Sequence, residues 1–156
     1  DISELVSDAA EAFRPRAVDR SIALEVTVSV GMPSARLDPT RIRQVVSNLV
    51  ENAITHTPDG GCVVVDVSPV THAGAAIISV SDTGTGISPE DLPHVFDRFY
   101  RVDPSRNRGT GGAGLGLTIV KRLVEVHGGQ VDVSSVFGSE TTFTAQIPFS
   151  GPRSDA

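Results

Sequence analysis

The stretch RQVVSNLVENAITHTP, residues 43–58, constrains the fold of this chain most strongly, because it predicts one long amphipathic helix with a defined start and end. Asp38 is a helix-capping residue type, and Pro39 suits the first helical position. The segment HTPDGG at residues 56–61 predicts the end of the helix. Apolar residues recur at the spacing of one helix face and should point into a core: Ile42, Val45, Val46, Leu49, Val50 and Ala53.

Two amide side chains lie at the edge of this apolar stripe. Asn48 and Asn52 are four residues apart, so they stack on one face of the helix. Their carbonyl oxygens are suitable ligands for a hard cation. The alternative is that they only solvate the helix edge, and the helix alone favours that alternative because polar residues are mostly exposed.

The composition is typical of one soluble globular domain, with 39% hydrophobic and 21% charged residues among 156. The net charge of −6 argues against nucleic acid as a partner. No apolar run approaches the roughly 18 residues of a membrane span. The only cysteine, Cys62, excludes an internal disulfide and is expected to pack in the core. The chain opens on Asp1 without a signal peptide, which predicts a fragment of a longer protein.

The remaining segments predict the element order α-β-α-β-β-α-β-β. A first helix should start at Ile2 and end at Arg14-Pro15, and a short helix should start at Pro89. The order predicts an α/β fold, a two-layer sandwich of a mixed sheet with helices on one face. Residues 1–150 should form the domain and residues 151–156 a tail. The other predicted segments are strands at 22–28, 63–70, 75–80, 130–136 and 141–147, and a helix at 114–127.

A first glycine segment, DTGTGI at residues 82–87, follows a predicted strand. Gly84 and Gly86 permit positive φ and a close backbone approach to a flat ligand. The carboxylate of Asp82 can accept a hydrogen bond from an exocyclic amine. The alternative is a tight turn capped by Asp82, and the segment alone favours it.

A second glycine segment, GTGGAGLGL at residues 109–117, directly precedes a predicted helix. Free backbone N–H groups at a helix start suit an anionic phosphate. The string matches G-x-G-x-x-G, but no strand precedes it, so a dinucleotide fingerprint is not indicated, and no P-loop motif is present. The alternative to a phosphate-binding segment is a flexible linker. The apolar helix that follows directly makes this alternative less favoured. Residues 102–113 are expected to form a long mobile loop.

Between the two glycine segments lies VFDRFYR, residues 95–101. Phe96 and Phe99 are expected to anchor the base of the loop. Arg98 and Arg101 could reach phosphate charge, although surface arginines are usually only solvated.

Together these motifs closely resemble the catalytic, ATP-binding domain of two-component sensor histidine kinases. NLVENAITHTP resembles the N box, DTGTGI the first glycine box, FDRFYR the F box and GAGLGL the second glycine box. The resemblance runs from about Ile2 to Pro148. It implies the Bergerat α/β sandwich, which is shared with DNA gyrase, heat-shock chaperones and mismatch-repair ATPases.

The resemblance also implies how ATP is bound. Asn48 and Asn52 would coordinate Mg²⁺ that bridges the phosphates, and Arg101 would approach the γ-phosphate. Asn48 and Arg101 are therefore the catalytic candidates. The phosphate-facing end of the lid would consist of Gly112, Gly114, Leu115, Gly116 and Leu117.

For the base, the resemblance implies that Asp82 binds the adenine amino group. Gly84 and Gly86 would lie beside it, Ile87 would pack nearby, and Thr141 would supply a hydroxyl, often through water. Two positions depart from the family pattern. Thr55 stands where many relatives carry a lysine or arginine, and Glu140 stands where they usually have a glycine.

The resemblance favours phosphoryl transfer to histidine. Gyrase-type ATPases carry a glutamate four residues before the metal-binding asparagine, and that position here is Asn48. His56, His72, His94 and His127 all lack the sequence context of a phosphoacceptor. The acceptor is therefore expected on an upstream dimerisation domain outside this chain, so the chain, expected to be monomeric, should not autophosphorylate alone. A response regulator and a cytoplasmic location in a membrane-bound sensor are also implied.

Three alternatives remain at this point. An anti-sigma-type serine kinase shares the fold, but FDRFYR favours the histidine kinase. A gyrase-like ATP hydrolase is disfavoured by Asn48. A degenerate, non-enzymatic ATP-binding module would lack key residues of the four motifs, and all four motifs are intact here.

Overall fold

The computed structural model describes residues 1–100 and 116–151. In this part of the chain the helices are α1 (Ile2–Glu11), α2 (Arg14–Asp19), α3 (Pro39–His56) and α4 (Gly116–Val126). The strands are β1 (Ala23–Val28), β2 (Cys62–Val70), β3 (Ala75–Asp82), β4 (Gln130–Val136) and β5 (Glu140–Pro148). Two short 3₁₀ turns cover Thr71–Ala73 and Leu92–His94. None of the described helices is long and apolar enough to cross a membrane.

The five strands form one mixed sheet in the order β1-β2-β3-β5-β4. β1 and β2 are parallel, and the other neighbouring pairs are antiparallel. β2 and β3 form a hairpin. The predicted α/β fold with a mixed sheet is confirmed.

The helices cover one face of the sheet, here called the inner face. Side chains alternate along β2, so that Val63, Val65 and Val67 are buried while the residues between them are only half-buried. α3 packs on β2 and β3, and it also packs against α1 and α4. All six apolar residues predicted for the buried stripe of α3 are buried, so α3 lies at the centre of the core.

Both ends of α3 are fixed by side chains. At its start, the carboxylate of Asp38 accepts hydrogen bonds from the N–H groups of Thr40 and Arg41, at 3.0 and 3.3 Å. At its end, the guanidinium of Arg20 donates to the carbonyl oxygens of Ile54 and Thr57, at 3.3 and 2.8 Å. The predicted cap and the predicted end are both confirmed, because these signals act locally in the sequence.

Three expectations about local structure were wrong. α1 ends at Glu11, before the expected Arg14-Pro15, and Arg14-Pro15 instead begins α2. Proline is tolerated in the first turn of a helix, because the N–H that it lacks would have no partner within the helix. The helix expected from Pro89 is only the 3₁₀ turn Leu92–His94. Cys62 is half-buried rather than in the core, because the alternation of β2 places Val63 on the inner face.

Candidate functional site

On β3, β5 and β4, the inner face of the sheet changes from apolar to polar in its last row, whereas Val63 on β2, opposite Asp82, is apolar. The strand register places Asp82 opposite Thr141, and Thr141 opposite Ser135. Asp82 and Thr141 are only 4% and 5% exposed. The next row is entirely apolar and consists of Val65, Val80, Phe143 and Val133. We call Asp82, Thr141 and Ser135 the polar row.

The carboxyl group of Asp82 is perturbed by its surroundings. Burial raises its pKa from 3.8 to about 6, although the N–H of Gly84 lowers it by donating to Oδ1 at 2.8 Å. Within the described residues, Oδ2 has no hydrogen-bond partner. Near neutral pH, Asp82 is therefore mostly a carboxylate with a free acceptor oxygen, as an amine ligand requires.

The first glycine segment is wedged between two parts of the protein. A Cβ atom on Gly84 would lie 2.4 Å from the carbonyl oxygen of His56, at the end of α3. A Cβ on Gly86 would lie 2.4 Å from the carbonyl oxygen of Val136, at the end of β4, and Gly86 has φ +70°. Packing alone therefore requires glycine at both positions. The contact of Gly84 with His56 also places the end of α3 next to the polar row, because Gly84 follows Asp82 by two residues.

We expect Gly86→Ala to destabilise the domain by about 1–3 kcal/mol more than Gly60→Ala, because the backbone around it must move. Gly60 is the matched control, since it also has positive φ (+87°) but has no atom within 4 Å of a built Cβ. Gly60→Ala measures only the backbone strain of an alanine at positive φ, which costs about 1–2 kcal/mol. Urea unfolding of the two variants measures the difference, and equal losses would show that the close contact is not limiting.

Ile87 and Ser135 join the glycine segment to β4. Ile87 is half-buried and packs against the hydrophobic core. Its N–H donates to Oγ of Ser135 at 2.7 Å, and Ser135 Oγ lies 2.9 Å from Oγ1 of Thr141. The sequence prediction did not include Ser135, whose contacts depend on the pairing of β4 with β5.

The amide pair lies on α3, whose last residue, His56, packs against Gly84 of this segment. Asn48 and Asn52 are both half-buried. Nδ2 of Asn48 donates to the carbonyl oxygen of Gly116, at the start of α4, over 3.2 Å. The amide oxygen of Asn48 is not used in that bond. The described part of the chain contains no cluster of three His, Cys, Asp or Glu side chains that could hold a metal. The amide oxygens of Asn48 and Asn52 are hard oxygen ligands of a kind that Mg²⁺ accepts.

Comparison with known proteins places this geometry in a family. Residues 37–151 match the model of the histidine kinase-, DNA gyrase B- and HSP90-like ATPases. The chain belongs to this family. The resemblance inferred from the four boxes is thereby confirmed, and the match includes every element that contributes to the polar row and the amide pair.

Individual relatives of this ATPase domain are sensor kinases. It is 42% identical over 152 residues to sensor histidine kinase RppB of Synechocystis, a match that covers 97% of this chain and 33% of RppB. The structure of the mycobacterial sensor histidine kinase MprB gives a TM-score of 0.79 at 31% identity and 97% coverage of both chains. Full-length ShkA in complex with AMPPNP gives 0.84 at 34% identity, covering 99% of this chain and 31% of ShkA. The domain spans about a third or less of the curated relatives it matches.

The F-box segment of the ATPase domain is anchored by one of its two phenylalanines. The ring of Phe96 packs edge-on against Phe143, with centroids 5.9 Å apart, and its carbonyl oxygen accepts a hydrogen bond from Thr118 in α4. Phe99, in contrast, is 62% exposed. Phe96 is therefore the anchor, and the expectation that Phe99 shares this role was wrong.

Several predicted residues lie outside the described part of the ATPase domain. These are Arg101, Gly112, Gly114 and Leu115, together with the loop 102–113. Gly116 and Leu117 form the start of α4; Gly116 is exposed, and Leu117 packs against the core. Glu140, one of the two departures from the family pattern, begins β5, where its carbonyl oxygen accepts a hydrogen bond from Oγ of Ser135 at 2.6 Å.

Proposed function

We propose that this chain is the ATP-binding catalytic domain of a sensor histidine kinase. It would transfer the γ-phosphoryl group of Mg-ATP to a histidine on a dimerisation domain outside the chain. The observation that carries the proposal is the polar row at the end of an otherwise apolar inner face, joined by the first glycine segment to the helix of the amide pair. An apolar floor that ends in hydrogen-bond acceptors suits a purine base.

The donor set of the amide pair fits magnesium. Asn48 and Asn52 offer two neutral, hard oxygen ligands, and Mg²⁺ usually completes its octahedron with substrate phosphates and water. When bound, the ion would neutralise phosphate charge. The protein's own contribution is to hold the two amides one helical turn apart on α3, whose apolar face is fully buried.

The start of α4 would receive the phosphates. The bond from Asn48 to Gly116 brings this helix start beside the amide pair. A helix start carries unpaired N–H groups and partial positive charge, which favour an anion. By family resemblance, Gly112, Gly114, Leu115, Gly116 and Leu117 would contribute backbone contacts, and Arg101 would stabilise the charge of the moving phosphoryl group.

Transfer to histidine is favoured over hydrolysis by the chemistry of the nucleophile. A neutral imidazole attacks through its lone pair and needs no general base, whereas water does. Asn48, an amide, occupies the position at which gyrase-type ATPases carry a glutamate. The chain's own His127 is unsuited as acceptor, since it is fully buried and its ring nitrogens contact the N–H of Asp38 and the carbonyl oxygen of Leu123, at 3.1 and 2.8 Å.

The partners of the proposed function lie outside the chain. They are the dimerisation domain that bears the acceptor histidine and the receiver domain of a response regulator, which would take the phosphoryl group next. The chain alone would be a monomer that does not bind nucleic acid. Its place would be the cytoplasmic side of a membrane-bound sensor.

The test is phosphoryl transfer in trans. We expect the chain, with radiolabelled ATP and Mg²⁺, to label a separately supplied helical dimer that bears the acceptor histidine. Transfer should be slower than in a tethered kinase, because a tether supplies an effective concentration near the millimolar range. The label should be acid-labile, as expected for phosphohistidine. Labelling of this chain itself, acid-stable label on serine, or release of phosphate without transfer would each contradict the proposal.

A further inference from the structure

The hydroxyl of Ser135 is in contact with three groups at once. It lies 2.7 Å from the backbone nitrogen of Ile87, 2.6 Å from the carbonyl oxygen of Glu140 and 2.9 Å from Oγ1 of Thr141. Two of these bonds have a fixed direction. The N–H of Ile87 can only donate, and the carbonyl oxygen of Glu140 can only accept.

Counting protons gives the direction of the third bond. A serine hydroxyl has one proton and two lone pairs. The proton of Ser135 is committed to Glu140, which is its shortest contact, and one lone pair accepts from Ile87. The remaining lone pair faces Thr141, so the Thr141 hydroxyl must donate its proton to Ser135. The lone pairs of Thr141 are thereby left for the ligand.

Asp82 alone would discriminate poorly between purines. Its carboxylate can accept a hydrogen bond from the 6-amino group of adenine, but it can equally accept one from N1–H of a 6-oxo purine. A rotatable Thr141 hydroxyl would satisfy either base, because it can donate to a 6-oxo group as readily as it accepts from an amine. A Thr141 held as an acceptor leaves a 6-oxo group facing only acceptors.

We propose that Ser135 is a specificity-positioning residue, which fixes the Thr141 hydroxyl as an acceptor and so makes the polar row selective for a 6-amino purine. The inference rests on the proposed function and extends it from ATP binding to the discrimination of ATP from 6-oxo nucleotides. Ser135 acts through Thr141, whose hydroxyl would contact the base directly, and need not itself touch the nucleotide.

The experiment compares the affinities of ATP and ITP, which differ at position 6 and N1 of the base. We expect Ser135→Ala to reduce the ratio of ATP affinity to ITP affinity about tenfold. The variant loses the one hydrogen bond that favours ATP over ITP, and about 1.4 kcal/mol corresponds to a factor of ten. Ser135→Thr, which retains the hydroxyl, should restore the ratio. Ser134→Ala is the matched control, because Ser134 is the exposed neighbour on the opposite face of β4.

A double-mutant cycle tests whether the effect passes through Thr141. In a Thr141→Val background, Ser135→Ala should leave the ratio of affinities unchanged. A purely structural role for Ser135 would lower both affinities together at a constant ratio, and that result would overturn the inference. The inference would also be overturned if Ser135→Ala changed the ratio as much in the Thr141→Val background as in the unmodified chain. If the alanine variant does not fold, Ser135→Cys replaces it, since a thiol is a weak donor and acceptor. Failure of the unmodified chain to bind ATP would instead overturn the proposed function.

Discussion

Asn52→Ala is expected to abolish Mg²⁺-dependent ATP binding, with affinity lowered at least about a hundredfold, a change of about 2.7 kcal/mol. The substitution removes one of the two amide oxygens that the proposal assigns to the metal. The domain should stay folded, because Asn52 is only half-buried, makes no hydrogen bond within the described residues and would be replaced by a better helix former. Isothermal titration with ATP, with and without Mg²⁺, measures the change.

Gln44→Ala is the matched control for Asn52→Ala. Gln44 is an exposed polar residue on the same helix, so its removal should alter neither stability nor affinity. Asn48→Ala makes a third comparison, since it removes a proposed metal ligand and also the contact with Gly116. If ATP affinity keeps its full Mg²⁺ dependence in Asn52→Ala, the amide pair does not bind the metal.

Much of the fold was predictable because its signals are local. The start of α3 follows from Asp38-Pro39, and its buried face follows from the spacing of apolar residues. Both signals act within one or two helical turns. The edge position of the amide pair follows from the same periodicity, so the metal candidates could be named before any contact was known.

Other features were not predictable because they depend on residues far apart in the chain. Ser135 gains its role only when β4 pairs with β5 and the turn between them meets the glycine segment around Gly86. No residue next to Ser135 in the sequence predicts that pairing. α2 was missed for a different reason. Arg14-Pro15 is consistent with the end of one helix and with the start of another, and in the structure it begins α2 while α1 ends at Glu11.

The second large effect concerns Asp82→Asn, which is expected to stabilise the ligand-free domain while it weakens ATP binding. Burial raises the pKa of Asp82 to about 6, so the folded domain holds a carboxylate in surroundings that favour its neutral form. The amide is neutral at every pH, and its oxygen can still accept the hydrogen bond from Gly84. The stabilisation near pH 7.5 should be about 3 kcal/mol, from a shift of about two pKa units at 1.36 kcal/mol each.

The pH dependence of this stabilisation has a definite sign. Because the pKa of Asp82 is higher in the folded state than its ordinary value of 3.8, the folded domain binds a proton more tightly than the unfolded chain. Stability from this group is therefore fully present below pH 3.8 and is lost as the pH rises to about 6. The difference between Asp82→Asn and the unmodified domain should fall from about 3 kcal/mol at pH 7.5 to about 1 kcal/mol at pH 4.5. Urea unfolding at the two pH values measures it.

ATP binding should move in the opposite direction to stability. The amide keeps an acceptor oxygen but loses the charge, and a charge-assisted hydrogen bond is worth about 1.5–3 kcal/mol, so affinity at pH 7.5 should fall about 10- to 150-fold. For the unmodified domain, ATP affinity should also fall as the pH drops through 6, because Asp82 then becomes a neutral acid. The fall should be smaller in Asp82→Asn, where only protonation of the γ-phosphate, with a pKa also about 6, contributes. If the variant is no more stable at pH 7.5, the carboxylate is not strained by burial. If the variant is more stable but binds ATP as tightly as the unmodified domain does, the buried carboxylate of Asp82 does not bind the adenine amino group.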